Sequence, residues 1–316
     1  MPTARRAFAS LALLTAALTI VASIALAQTE AEKAAPAAEK GPAAPDTGKT
    51  DTGKRGNPQI PRTGVLHPEY NAALPTLFLI GDSTVKNSWD AGSDGLWGWG
   101  RPIAAYFDTS KINVENQALG GTSSRSYYTT GHWERVSKLI KPGDFVLMQF
   151  GHNDGAAGGR SSIRGNGDDT RSEDVKGTSE TVHSFGWYLR QFIAETKAKG
   201  ATPIVCSLIP RNNWRDDKVN RATGSYATWA AEAAKQTDTP FIDLNGIIAD
   251  HYDQLGKDAV KAFFPKETTH PGWRGASFNA ECVVEGLRKL PDCKLKDYLR
   301  ETPAPMAKPS TDPTDG

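Results

Sequence analysis

The chain carries a serine, a glycine, an asparagine and a histidine in an order that suits hydrolysis of an ester by acyl transfer. These residues are Ser83, Gly121, Asn153 and His270, and Glu267 lies three residues before the histidine. Such a reaction needs a nucleophile, a base, a group that orients the base, and donors for the developing oxyanion. Ser83 suits the nucleophile and His270 the base. A carboxylate at Glu267 can accept from Nδ1 of His270, which leaves Nε2 to take the proton of the serine.

Each motif taken alone also has an ordinary structural interpretation. The serine in Gly-Asp-Ser-Thr can cap a helix, and so can the aspartate before it. The two glycines at 120–121 suit a turn, and Asn153 suits an Asx-turn. His152 is a second candidate base, but we expect a structural role for it because His270 fits the chemistry better.

Buried strands must bring these residues together. Apolar runs at 76–80, 144–150 and 203–209 show no alternation, which predicts strands buried on both faces. Segments 112–118 and 241–244 are weaker strand candidates. Helical patterns lie between the strands, at about 99–107, 132–140, 181–199, 225–236, 245–255 and 273–289. This alternation predicts an α/β fold with a central parallel sheet between helices, and ligands on such sheets bind at the carboxyl ends of the strands.

Together the motifs resemble the SGNH (GDSL-like) hydrolase superfamily. Segments 79–85, 116–126 and 149–154 are similar to the rhamnogalacturonan acetylesterases, a carbohydrate esterase family, and the resemblance extends over about 75–292. It implies a three-layer α/β/α sandwich of the flavodoxin-like type and removal of acetyl groups from decorated pectin. It implies no metal and no organic cofactor.

The resemblance also assigns roles to the matching positions. Ser83 is expected to be the nucleophile and His270 the base. The backbone N–H groups of Ser83 and Gly121 and the side chain of Asn153 are expected to form the oxyanion hole. Gly121 is chosen over its neighbour because it directly precedes the Thr-Ser-Ser-Arg-Ser run. The family usually has Asp where this chain has Glu267, so the extra methylene must be accommodated for the carboxylate to orient the histidine.

A pectin substrate carries carboxylates, so cations are expected near the binding groove. Arg125, Arg211 and Trp214 are the predicted substrate-binding residues, and Arg125 is the strongest candidate because it lies in a matched segment. Trp97 and Trp99 suit either stacking on sugar rings or packing against the first helix.

Composition excludes several other classes of protein. The chain has 316 residues and a formal net charge of +1, so no overall basic excess points to nucleic acid. Three cysteines exclude a disulfide scaffold. Cys206 is expected to be a buried small residue within a strand. Cys282 and Cys293 suit either a local disulfide or two free thiols.

The two ends of the chain differ from its middle. Residues 1–27 have the pattern of a secretory signal peptide cleaved after Ala27, although the uncharged stretch 7–27 is also long enough for an uncleaved membrane anchor. Residues 28–62 are expected to be a disordered linker, 63–302 the hydrolase domain and 303–316 a disordered tail. The insertion at 155–180 lacks periodicity and is expected to be functional or mobile.

The leading hypothesis is therefore a secreted or periplasmic serine esterase. Its expected partner is an acetylated anionic polysaccharide, and we expect a monomer that binds no nucleic acid and, after cleavage, no membrane. Acetylxylan or other carbohydrate esters and lipid esters are alternative substrates. A non-catalytic carbohydrate-binding protein is the alternative from another class.

Overall fold

A five-stranded parallel sheet forms the centre of the molecule. The computed structural model describes residues 63–86, 95–156, 160–175 and 177–306, so the predicted signal peptide and linker lie outside the described residues. The sheet contains β1 (Thr76–Gly81), β2 (Asn113–Asn116), β3 (Phe145–Gln149), β6 (Thr202–Cys206) and β9 (Phe241–Ile242) in the order β2-β1-β3-β6-β9. All four pairings are parallel.

Helices cover both faces of this sheet. The α-helices are α1 (Ser124–Thr129), α2 (His132–Ser137), α3 (Phe185–Ala198), α4 (Tyr226–Gln236), α5 (Leu244–Leu255), α6 (Lys257–Lys261) and α7 (Trp273–Lys289). Two 3₁₀ helices span Pro102–Tyr106 and Lys294–Tyr298. Two antiparallel hairpins lie outside the central sheet, and they are formed by β4 (Thr170–Val175) with β5 (Thr178–His183) and by β7 (Trp214–Arg215) with β8 (Lys218–Val219).

Alternate residues of β1, β3 and β6 enter two separate hydrophobic cores. Leu77 and Leu79 of β1 pack with α5, α6 and α7 on one face. Phe78 and Ile80 pack with α1, α2, α3 and α4 on the other. All four side chains are fully buried, as expected for a strand covered on both sides. The predicted three-layer α/β/α fold is thus confirmed.

The register of the sheet brings the motif residues to one edge. Gly81 pairs with Gln149 and Gln149 with Cys206, so β1, β3 and β6 end side by side. A Cβ added at Gly81 would lie 2.5 Å from the carbonyl oxygen of Gln149, so only glycine fits where the two strand ends meet. The segments that follow these strands therefore share the edge where α/β proteins bind their ligands.

Several sequence expectations need correction. The insertion at 155–180 contains most of the β4–β5 hairpin, and residues 181–183 belong to β5 rather than to the following helix. Part of the predicted tail is ordered, because the N–H of Ala304 donates to the carbonyl of Ala105 at 2.8 Å and Met306 packs on the core. Cys282 and Cys293 are buried free thiols, and Cys206 is a buried residue of β6 as expected.

Candidate active site

Ser83 lies two residues beyond the end of β1, in a tight turn. Asp82 caps this turn, because its Oδ1 accepts from the N–H of Thr84 at 2.9 Å and from its hydroxyl at 2.7 Å. The carbonyl of Asp82 also accepts from the N–H of Lys86 at 3.0 Å. Since the aspartate does the capping, the Ser83 hydroxyl remains available for another partner.

That partner is His270. The Ser83 hydroxyl lies 2.6 Å from Nε2 of His270, although 187 residues separate the two in sequence. Nδ1 of His270 lies 2.6 Å from Oε1 of Glu267. In the tautomer with the proton on Nδ1, the ring donates to the carboxylate and accepts from the serine at Nε2. A general base for a serine nucleophile needs this arrangement.

Glu267 reaches its position by folding back on its own loop. Oε1 also accepts from the N–H of His270 at 2.6 Å, and Oε2 accepts from the N–H of Thr269 at 2.7 Å. Partial burial raises the pKa of Glu267, but these two backbone hydrogen bonds and the His270 ring outweigh it and lower the pKa below its ordinary value. The side chain is therefore a carboxylate near neutral pH, and the extra methylene relative to Asp is accommodated.

The predicted oxyanion donors converge on the same edge. Gly121 follows β2 and has φ of 78°, a left-handed conformation that favours glycine. The side-chain amide of Asn153 donates to the carbonyl of Thr122 at 2.9 Å, and its second N–H remains for another acceptor. The backbone N–H groups of Ser83 and Gly121 donate to no other residue in the described part of the chain. The geometry suits an oxyanion hole, and the roles of its members remain predictions.

Residues from the insertion hold the turn that contains Gly121. Arg160 donates to the carbonyl of Gly121 at 3.0 Å, and the Ser123 hydroxyl donates to the carbonyl of Arg160. Ser124, the first residue of α1, donates its N–H to Asp154 at 3.1 Å. Burial raises the pKa of Asp154 to about 7, against hydrogen bonds from Ser124 and Ser162 that lower it. This supporting role of Asp154 was not predicted, and its only sign in the sequence was an acidic residue inside a matched segment.

The prediction that Arg125 binds substrate is wrong. Its side chain is 1% exposed and donates to Glu173 at 2.6 Å and to Glu180 at 2.8 Å. It also donates to the carbonyl of Ser161 at 2.8 Å. A guanidinium enclosed in this way cannot contact a polymer, and Arg125 instead ties α1 to the β4–β5 hairpin.

The other predicted substrate residues lie close to the base. Arg211 is exposed and Trp214 half-buried, and both belong to the segment that follows β6. The N–H of Asn212 donates to the carbonyl of Thr268 at 2.8 Å, which joins this segment to the loop of Glu267 and His270. The Trp214 ring donates to Oδ1 of Asn212 at 2.7 Å. Their roles in substrate binding remain predictions.

Trp97 and Trp99 are core residues rather than stacking platforms. Their exposed fractions are 1% and 0%, so the packing interpretation is the right one. The Trp99 ring donates to Gln149 at 2.8 Å, and Gln149 donates to the Thr84 hydroxyl at 2.6 Å. Gln149 thus links the end of β3 to the turn of Ser83, a role that its place in a buried strand could have indicated.

His152 lies beside the triad without joining it. Both ring nitrogens are buried and have no hydrogen-bond partner within the described residues. Burial lowers the pKa of His152 below its ordinary value. The Asp82 carboxylate raises this pKa, and the Arg211 guanidinium lowers it further. A half-buried imidazole whose two nitrogens are buried and whose pKa is lowered fits the expected structural role better than that of a base.

The described residues contain no group of three or more His, Cys, Asp or Glu side chains that suits a metal ion. No helix among them combines the length and apolar character needed to span a bilayer.

Comparison with known proteins agrees with this geometry. The model of the GDSL-like Lipase/Acylhydrolase family matches residues 79–277. Rhamnogalacturonan acetylesterase of Emericella nidulans is 31% identical over 236 residues, which cover 73% of this chain and 92% of that protein. Rhamnogalacturonan acetylesterase RhgT of Bacillus subtilis is 28% identical, over 71% of this chain and 93% of that protein.

A solved structure agrees at the level of the fold. The crystal structure of YxiM from Bacillus subtilis superposes with a TM-score of 0.57 at 26% identity, over 68% of this chain and 56% of that chain. The resemblance noted from the sequence motifs is confirmed. The chain belongs to the GDSL-like lipase/acylhydrolase family and is a carboxylic ester hydrolase.

Proposed function

We propose that this enzyme removes O-acetyl groups from acetylated rhamnogalacturonan. The observation that carries the proposal is the continuous hydrogen-bonded series from Ser83 through His270 to Glu267, with both contacts at 2.6 Å. The two acetylesterases described above, whose names specify rhamnogalacturonan, support the choice of substrate.

The proposed mechanism follows from the positions of these groups. His270 takes the proton of Ser83 as the serine oxygen attacks the acetyl carbonyl. The N–H groups of Ser83 and Gly121 and the amide of Asn153 donate to the resulting oxyanion. The intermediate collapses to an acetyl-serine, and His270 returns the proton to the departing sugar oxygen. Water, activated by the same histidine, then releases acetate and restores the serine.

The charges around the site support an anionic polymer as substrate. Arg160 and Arg211 are both exposed. Arg160 contacts the turn that follows β2, and Arg211 belongs to the segment that follows β6, so their segments flank the one that contains Ser83 after β1. The nearly neutral charge of the chain therefore includes cations at the catalytic edge. They would attract the carboxylates of a pectic polymer.

Acetylxylan is the second candidate substrate and is distinguished by experiment. Acetate release should be measured from acetylated rhamnogalacturonan and from acetylated xylan at matched acetyl concentration. We expect higher kcat/KM on rhamnogalacturonan and no release by Ser83→Ala. A strong preference for xylan would overturn the assignment of substrate, whereas full activity of Ser83→Ala would overturn the mechanism.

We also propose that the enzyme is a monomer exported from the cytoplasm. The sequence pattern of residues 1–27 supports export, with cleavage before Gln28. Expression of the full chain in a bacterium with a periplasm, followed by intact-mass measurement, tests this proposal. We expect a periplasmic product that begins at Gln28 and elutes as a monomer. An uncleaved product held in the membrane would support the anchor alternative instead.

A further inference from the structure

Lys86 lies at the end of the turn that contains Ser83, and its side chain passes close to Gly120. A Cβ added at Gly120 would lie 3.1 Å from Cδ of Lys86 and 3.7 Å from its Nζ. The same point lies 3.7 Å from Cβ of Ser83. The ammonium nitrogen and the Cβ of the serine are therefore at most twice this last distance apart, and both border the small space beside Gly120.

We propose that the Lys86 ammonium stabilises the oxyanion of acyl transfer through its positive charge, and that the absence of a side chain at Gly120 makes room for it. This role rests on the proposed function, because the proposed mechanism supplies the oxyanion. The predicted donors, which are the N–H groups of Ser83 and Gly121 and the amide of Asn153, are all neutral. Lys86 would add the only full positive charge to this set.

The backbone of Lys86 is fixed relative to the nucleophile. Its N–H donates to the carbonyl of Asp82 at 3.0 Å, so it belongs to the same turn. The carbonyl of Val85, directly before it, accepts from the side-chain amide of Asn116 at 2.9 Å. A side chain at Gly98 would collide with the carbonyl oxygen of Lys86, so the chain is enclosed on that side as well. The half-buried side chain therefore starts from a defined position.

The two adjacent glycines of the oxyanion turn are needed for different reasons. Gly121 has φ of 78°, a conformation that by itself favours glycine. Gly120 lies outside this left-handed region, so its backbone would accept alanine. The close approach of Lys86 is what favours glycine at this position, because a methyl group 3.1 Å from Cδ would push the lysine side chain aside.

The expected effect of the charge is moderate. A cation several ångströms from a developing negative charge attracts it, but less strongly than a donor in direct contact. We expect Lys86→Met to lower kcat about five- to tenfold on a neutral aryl acetate, with KM within about twofold of wild type. Lys86→Arg should recover most of this rate, because arginine keeps the charge. Packing alone would give the opposite order, since methionine resembles the lysine chain more closely.

Binding of a substrate carboxylate is the competing role for Lys86. In that case Lys86→Met would leave kcat on the neutral aryl acetate unchanged and would raise KM only for the anionic polymer. This result would overturn the proposal, as would a variant Lys86→Arg that is no more active than Lys86→Met.

A double-mutant cycle tests the pairing of Lys86 with Gly120. Gly120→Ala should lower kcat about fivefold in the wild-type background, because the new methyl group displaces the lysine. In the Lys86→Ala background it should lower kcat less than twofold, about the limit for independent sites, because no long side chain remains to be displaced. Equal losses in the two backgrounds would overturn the pairing and assign Gly120 to the shape of the turn.

Lys111→Met is the matched control for loss of a lysine. Lys111 forms an exposed ion pair with Asp108 at 3.0 Å and directly precedes the start of β2, at the edge of the sheet opposite the site. Its loss should leave kcat within about twofold. Equal kcat values for Lys86→Met and Lys111→Met would overturn the proposal. The activity of Ser83→Ala tests the proposed function separately, so the two failures are distinguishable.

Discussion

The two halves of the catalytic edge are held in place in different ways. The base loop, residues 267–270, is held mainly by hydrogen bonds between residues at most three apart, with one long-range bond from the N–H of Asn212 to the carbonyl of Thr268. The oxyanion turn, residues 119–122, and the start of α1 that follows it depend on contacts with residues 30 to 55 positions away. Arg160, Asp154 and the β4–β5 hairpin supply those contacts.

This difference indicates how each half should respond to change. A loop held mostly by its own residues should be less sensitive to changes in distant segments. A turn held by a distant insertion should lose its geometry when the insertion is loosened, even if no catalytic group is altered. The insertion is thus a structural part of the site, rather than only a surface loop beside it.

Glu267→Gln is the sharpest test of the base loop. The amide removes the negative charge that stabilises the imidazolium and holds its tautomer, so we expect kcat to fall about 10²- to 10⁴-fold. Steady-state hydrolysis of an aryl acetate measures this. Glu267→Asp is the control, because it keeps the charge and should retain much more activity. Full activity of Glu267→Gln would show that the carboxylate does not orient the base.

Beside the oxyanion turn, Asn153→Ala removes one predicted oxyanion donor. We expect kcat to fall about 10²- to 10³-fold with little change in KM, because the donor acts on the transition state. The amide also donates to Thr122 at 2.9 Å, so the melting temperature of the variant should be measured alongside. A rise in KM at constant kcat would instead assign Asn153 to substrate binding.

Arg125→Met tests whether the insertion supports the turn from a distance. The change leaves Glu180 without its cation and Glu173 with Arg171 as its remaining cation, and we expect a loss of about 2 kcal/mol in the free energy of unfolding. This is below the range for a fully buried pair, because the two glutamates are 26% and 23% exposed. Urea unfolding measures the loss.

We also expect kcat of Arg125→Met to fall several-fold, since α1 directly follows the oxyanion turn. Lys138→Met is the control, because Lys138 forms an exposed ion pair with Glu134 far from the site and its loss should alter neither quantity appreciably. Unchanged kcat in Arg125→Met, despite lowered stability, would mean that the hairpin does not position the turn.

Asp154→Asn tests the support of the oxyanion turn through the pH dependence of stability. The pKa of Asp154 rises from 3.8 to about 7 on folding, so the unfolded chain releases this proton at lower pH than the folded chain. The free energy of unfolding therefore falls as pH rises through this interval. The stability advantage of wild type over Asp154→Asn should shrink from about pH 4.5 to about pH 7.5. An advantage independent of pH would contradict the shifted pKa.

The same contrast explains what could be predicted from the sequence. Ser83, Asn153 and His270 lie in short motifs after apolar runs, and the parallel sheet brings the motifs together, so their proximity followed from order and spacing. Glu267 followed from its distance of three residues to the histidine. These features depend only on local chain geometry and on a regular fold.

The errors concern contacts between distant segments. Arg125 lies in a matched motif near the edge, but Glu173 and Glu180 enclose it, and neither the hairpin nor its pairing was evident from an exposed, polar stretch. For Trp97 and Trp99 the sequence left stacking and packing open, because their burial depends on tertiary packing that a glycine-rich run does not reveal. Sequence patterns identified the groups suited to chemistry but not the residues that support them.

The proposed mechanism requires that Ser83 is the nucleophile and that His270 activates it. The most direct measurement is treatment of the wild-type enzyme with a fluorophosphonate, followed by peptide mass spectrometry. We predict a single adduct on Ser83 whose formation parallels the loss of activity and slows greatly in His270→Ala. Complete inactivation with the adduct on another residue, or retained activity with Ser83 fully modified, would contradict the account.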